Sequence, residues 1–244
     1  MNNTQTVEKL RQMRLTAMAE LHQQHVTSNQ FSGSTPDEYL ALLTEHEWED
    51  RFNKKVKRML KNASLKQNAT LADISYAENR NLDKNMFERL STLDFIKKAE
   101  NVIITGPSGV GKSYLGQALG HQTCISGEKV LYSNASRFFT KLKLTKVDGT
   151  YLKELKKLST VKLLILDDFG LQAFDNHARE ALMDVIDQRY GSLSTIICSQ
   201  LPISTWYDII GESTIADAIL DRLINSSHRI NLNGESLRKG MLNN

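Results

Sequence analysis

The chain has 244 residues, 40% apolar and 24% charged, close to the average for soluble globular proteins. Those proportions exclude a collagen-like repeat, a disulfide-stapled miniature and a largely disordered chain, and the length allows one large domain or two small ones. The formal charge is only +3, from 31 Lys and Arg against 28 Asp and Glu, so any electrostatic role must come from how the charge is distributed. No stretch of ~18 apolar residues occurs and no charged start leads into an apolar segment, so a cytosolic protein without membrane contact is expected. Cys124 and Cys198, the 2 cysteines, sit in apolar runs and are expected as buried thiols.

The first ~65 residues read as helices. Val7, Leu10, Ala17 and Leu21 recur at helical spacing and predict one amphipathic helix, while the polar run from Gln23 to Ser34 predicts a loop. Thr35-Pro36-Asp37-Glu38 then marks a helix start: Thr35 as N-cap, Pro36 at the first helical position, Glu38 closing a capping box. Apolar spacing carries that helix to about residue 64. Its end is lopsided, because Arg51, Lys54, Lys55, Lys57, Arg58, Lys61 and Lys66 have no acid among them while Glu45, Glu47, Glu49 and Asp50 lie just upstream. Such a run is either a solvated helix face or a surface for phosphates, and the segregation by sign is the argument for phosphates.

A polar stretch over residues 65–75 suggests a boundary between an all-helical domain, 1–66, and a second domain, 67–244. Beyond it, strand-like runs at Asn101–Thr105, Lys129–Ser133, Val161–Asp167, Ser194–Ser199 and Arg229–Leu232 alternate with helical stretches. That alternation predicts an α/β fold with a central, mainly parallel five-stranded sheet covered on both faces.

Gly106-Pro107-Ser108-Gly109-Val110-Gly111-Lys112-Ser113 is a complete P-loop, between the apolar strand Val102-Ile103-Ile104 and a helical run that begins at Lys112 and Ser113 and continues through Tyr114. Glycines let consecutive backbone N–H groups turn inward on an anion, and the following helix offers the positive end of its dipole. Lys112 is expected on the β- and γ-phosphates of ATP, and the Ser113 hydroxyl on Mg²⁺. The apolar run Leu163–Leu166 ends in Asp167-Asp168. An acid at the end of a buried strand is costly unless it meets a cation. Beside a P-loop, Asp167 is expected to face Mg²⁺ through water, and Asp168 to polarise the attacking water. An Asp pair alone reads as a strand-end turn; the P-loop gives it meaning.

Taken together these residues resemble the AAA+ ATPases, and among them the branch of DnaC-type helicase loaders and IstB-type helper ATPases of insertion sequences. The resemblance implies a polar sensor after the next strand, at Gln200 or, failing that, Ser199. It implies an arginine finger at Arg222, in Asp221-Arg222-Leu223, and a second sensor at Arg238, in Gly234-Glu235-Ser236-Leu237-Arg238. Only about ten residues follow the last strand, so the helical lid of the family is expected to be reduced or absent. Arg137, Lys141, Lys143 and Lys146 begin a basic block that runs to Lys162. In initiator-type relatives an inserted helix there lines a DNA channel; a solvated helical pair is the alternative. No cysteine precedes Cys124 to build a zinc module. Tyr39-Leu40-Ala41-Leu42-Leu43 through Glu47 and Arg51, with the basic helix after it, is similar to the IstB pattern.

The resemblance implies a Mg²⁺-dependent ATPase that binds duplex DNA through Arg51, Lys54, Lys55, Lys57, Arg58 and Lys61 and through the second basic block. Such a protein forms ATP- and DNA-dependent homo-oligomers and presents target DNA to a separate transposase, in the bacterial cytosol and on the nucleoid when DNA-bound. The alternatives are a DnaC-like replicative helicase loader and a nucleotide-dependent DNA scaffold with weak hydrolysis.

Overall fold

Helices α1 (Asn3–Gln12), α2 (Thr16–Ser28) and α3 (Pro36–Asn62) begin the chain, which divides into two units, Met1–Arg58 and Met59–Asn244. The structure is a computed structural model and describes residues 3–28, 33–76 and 80–237. The capping box forms in both directions: Glu38 N–H donates to Thr35 Oγ1 at 3.3 Å, and Thr35 N–H donates to Glu38 Oε2 at 2.8 Å. The single amphipathic helix expected at the start is instead two, broken at Arg14, whose φ is 61°. The cause lies far along the chain. Glu47 of α3 accepts from Met18 N–H, in the first turn of α2, at 3.0 Å, and Arg51 donates to the Arg14 carbonyl at 2.7 Å. The loop expected from Gln23 is helical to Ser28, and in its last turn the Thr27 and Ser28 hydroxyls donate back to the Gln23 and Gln24 carbonyls. Among the described residues of this first unit, Val7, Ala17, Ala19 and Leu43 are the buried apolar ones.

In the second unit, α4 (Lys84–Ser91) and α5 (Asp94–Lys97) lead into β1 (Asn101–Thr105), and α6 (Lys112–Ile125) follows the P-loop. Then come β2 (Val130–Asn134), α7 (Ala135–Val147), α8 (Tyr151–Leu158), β3 (Leu163–Phe169), α9 (Asn176–Arg189), β4 (Ser194–Ser199), α10 (Trp206–Ile210), α11 (Ser213–Ile224) and β5 (Ser227–Asn231). The sheet has the order β2-β3-β4-β1-β5 with every neighbouring pair parallel. Alternation within the buried strands feeds two cores. Val102, Ile104, Ile165 and Ile196 pack with Leu115 and Leu119 of α6, and Ile103, Leu164, Leu166 and Ile197 pack with α7, α9 and α11.

β3 does not end at its two acids. It continues through Phe169, which is fully buried against Phe174 and Trp206, and the ladder to β4 shifts register between Leu166 and Phe169. The extra residue is Asp168, in the left-handed region at φ 56°. Among the described residues no helix follows β5, and none is long and apolar enough to cross a membrane.

Candidate nucleotide-binding site

β1 delivers the P-loop to the carboxyl edge of the sheet, at the crossover where ligands of such folds sit. The chain needs glycine at position 106, with φ 145°, because a side chain there would run into the Leu232 carbonyl. Val110 is fully buried and anchors the loop, while Pro107 and Ser108 stay exposed. Gly111 caps α6 with φ 97°, and the buried Arg80 packs against it, its Nη2 only 2.7 Å from where a Cβ would stand. Tyr114 lies one residue beyond Ser113 on α6, packed against the core.

Lys112 is 6% exposed, and its ammonium donates to the carbonyls of Gly106 (2.8 Å) and Pro107 (2.7 Å), across the loop that is expected to cradle the phosphates. The Ser113 hydroxyl donates to Asp167 Oδ1 at 2.9 Å. Asp167, 4% exposed, also accepts from its neighbour's Asp168 N–H at 3.0 Å and, on Oδ2, from the Tyr132 hydroxyl at 2.5 Å. Burial, reinforced by Asp167, pushes the Tyr132 phenol far above its ordinary value, so it remains a donor. A hydroxyl and a carboxylate this close, beside an anion cradle, are the oxygen donor set that suits Mg²⁺ bound to a nucleotide. The bulge at Asp168 turns its side chain to Asn134, the last residue of β2, whose amide donates to Asp168 Oδ2 at 2.9 Å.

Ser199 is buried and structural: its hydroxyl donates to the Phe169 carbonyl at 2.7 Å and accepts from Leu201 N–H at 3.1 Å. Gln200 follows it, half-buried. Gly234–Leu237 lies against the P-loop, with Ser236 beside Gly109 and Leu237 N–H donating to the Gly109 carbonyl at 3.0 Å. Arg238 lies outside the described residues.

Arg222 is elsewhere. Its carbonyl accepts from Asn101, the first residue of β1, whereas the P-loop leaves the other end of that strand. The guanidinium is held by Asp187 at 3.2 Å and the Ala218 carbonyl at 2.9 Å, over the Tyr190 ring. Arg189, 2% exposed, is occupied by the carbonyls of Leu158, Val161, Lys162 and Ser194 and by Thr195.

Among the residues expected on DNA, Lys55, Lys57, Arg58 and Lys61 are exposed on α3. Lys54 pairs with Asp50 at 2.6 Å and Arg51 with Glu47 at 2.7 Å. In the second block Lys141 pairs with Glu154, Lys143 with Asp175 at 3.1 Å and Lys146 with Glu180 at 2.8 Å. Arg137, in the first turn of α7, lines a cleft of about 580 Å³ together with Asn134 and Asp168. Cys124 and Cys198 are buried free thiols, and burial pushes Cys124 up to about 11. Tyr132, Asn134 and Arg80 are the site residues that sequence reasoning missed; nothing local to any of them marks it.

The model of the family described as IstB-like ATP binding protein matches residues 8–243. The putative insertion sequence ATP-binding protein y4pL of Sinorhizobium fredii is 44% identical over 234 residues, covering 96% of each chain. The putative ATP-binding protein of insertion sequence IS1162 of Pseudomonas fluorescens is 40% identical over 201 residues, 82% of this chain and 87% of that one. Among solved structures, a DnaC helicase loader superposes with a TM-score of 0.54 at 20% identity, over 68% of this chain and 97% of that one. DnaA of Aquifex aeolicus bound to AMPPCP superposes with a TM-score of 0.57 at 17% identity, over 74% of this chain and 56% of that one. These likenesses are of fold, the AAA+ P-loop core. The chain is therefore a member of the IstB-like family of insertion sequence ATP-binding proteins, built on that core.

Proposed function

We propose that this protein hydrolyses ATP with Mg²⁺, assembles into homo-oligomers on duplex DNA, and assists a separate transposase in moving an insertion sequence. The observation that carries the hydrolytic reading is the Ser113–Asp167 contact at 2.9 Å with Asp168 displayed beside it on the bulge. The names of the relatives supply the insertion-sequence context.

Lys112 exchanges its two carbonyl partners for the β- and γ-phosphates, and the amides of residues 109–113 close on them. Mg²⁺, when bound, neutralises phosphate oxygens as charge moves onto the leaving group. Ser113 would hold it directly and Asp167 through water. Asp168 orients the attacking water and takes up its proton, and Gln200 fixes the same water from the end of β4. Arg222 acts on the nucleotide of a neighbouring copy, which couples ATP to assembly. Arg238 completes the grip on the phosphates from the carboxyl-terminal segment.

The helical region, residues 1–66, grips DNA and takes part in assembly, and residues 67–244 form the ATPase. Arg51, Lys54, Lys55, Lys57, Arg58 and Lys61 meet phosphates without reading bases, and Arg137, Lys141, Lys143 and Lys146 serve as a second phosphate-binding group. A bent target is presented to the transposase until hydrolysis releases it. The setting is the bacterial cytosol, on the nucleoid while DNA is held.

Phosphate release and gel shifts on duplex and single-stranded DNA, with and without ATP, test this reading. ATP-dependent complexes on duplex DNA with measurable turnover are expected. Binding confined to single strands would replace the reading with a helicase loader, and complexes without turnover would replace it with a scaffold.

A further inference from the structure

We propose that Tyr132 is a positioning residue of the metal site, holding the Asp167 carboxylate in register with Ser113. Burial of an aromatic ring does not require a phenol: phenylalanine would fill the same space in the core. A hydroxyl at a position 4% exposed needs an acceptor, and here the acceptor is Asp167 Oδ2 at 2.5 Å. Ser113 takes the other oxygen at 2.9 Å. Asp168 N–H also donates to that oxygen, at 3.0 Å, so Tyr132 supplies the donor on Oδ2, and donors on both oxygens hold the plane of the carboxylate more narrowly than donors on one.

The tyrosine is itself braced. β2 is an edge strand, and on its free side Tyr132 N–H donates to the Ala63 carbonyl at 2.8 Å while the Lys66 ammonium stands 5.6 Å from the ring centre. The segment making those contacts is fixed in turn by the 1%-exposed Gln117. Its carbonyl oxygen accepts from Lys66 and Gln67 N–H at 2.6 and 3.1 Å, and its amide donates to the Ser113 carbonyl at 3.1 Å. Both residues proposed to hold the metal are thus bonded to a residue anchored on residues 63–67. This inference rests on the proposed Mg²⁺–nucleotide reading of the site.

The test is Tyr132→Phe in the full chain, titrated with a fluorescent ATP analogue once with Mg²⁺ and once with EDTA. The variant keeps the ring, the backbone bond and the cation over the ring, and loses only the hydroxyl. The parent should bind more tightly with Mg²⁺. The variant should lose about tenfold of that gain, the scale of one hydrogen bond to a charged group, and match the parent in EDTA. An undiminished Mg²⁺ gain overturns the positioning role, as does an equal loss with and without Mg²⁺, which would mark Tyr132 as structural only. A parent with no Mg²⁺ gain overturns the metal reading of the site and this inference with it.

Discussion

Asn134 donates its side-chain amide to Asp168 Oδ2 at 2.9 Å, joining the last residue of β2 to the displaced residue of β3. Asn134 also caps α7, through a longer bond of 3.4 Å from Arg137 N–H. Asn134→Asp should keep the cap and lose the amide donor, setting two carboxylates side by side. We expect ATP affinity to hold within about twofold while hydrolysis changes by about tenfold, the scale of one hydrogen bond to a charged group. Parallel titration and phosphate-release assays check both.

Asp168→Asn is the cleanest removal of the proposed base. Asparagine tolerates the left-handed backbone at φ 56°, so the bulge should survive. ATP binding should persist, and turnover should fall by about a hundredfold or more, the contribution of a positioned general base. Assemblies on DNA should outlive those of the parent in a dissociation assay. Parental turnover would place the base elsewhere.

Arg222 sits at the amino end of β1, and the five residues of that strand, at ~3.3 Å each, separate it from its own P-loop. Arg222→Ala should therefore leave nucleotide binding by the monomer intact. Hydrolysis and ATP-dependent oligomerisation should both fall, and sedimentation with ATP should show the smaller species. An unchanged large species would shift the role to Arg229, which is exposed on β5. The buried Arg189 has no freedom to serve.

Replacing Lys54, Lys55, Lys57 and Arg58 by Ala should weaken binding to unrelated duplexes about equally. The slope of log affinity against log salt should drop by roughly 0.9 for each phosphate that is no longer neutralised. Lys54, Lys143 and Lys146 are paired with Asp50, Asp175 and Glu180, so each of these three should contribute less to the slope than the exposed Lys55, Lys57 and Arg58. An identical slope for the quadruple variant would make α3 a solvated face.

Glu47 links α3 to α2. Burial alone would raise its carboxyl, but the Met18 N–H and Arg51 outweigh burial and hold it below its ordinary value. A carboxyl depressed in the folded state contributes stability that is complete above its ordinary value and is lost as pH falls through the folded one. In a Trp206→Phe background Trp48 alone reports unfolding, and its urea midpoint should fall on acidification below that ordinary value. Glu47→Gln should cost about 1–3 kcal/mol at neutral pH and flatten the pH dependence.

What the sequence determined by itself is what contiguous residues decide. The capping box at Thr35 and Glu38, the P-loop between a strand and a helix, and the acids closing an apolar run are each set by bonds within a few residues. Tertiary structure decided the rest. α2 starts where Glu47, 29 residues away from Met18, supplies a cap. Tyr132 and Asn134 reach Asp167 and Asp168 across 35 and 34 residues because parallel pairing places Asn134 opposite Asp167, with Tyr132 two residues before it on the same face. Asp168 turns out of β3 because Phe169 must return to the core, and no local pattern reveals which residue of an acidic pair the ladder will expel. Parallel strands meet only after a crossover has closed, so their register depends on packing between distant segments, which the order of residues along one strand does not contain.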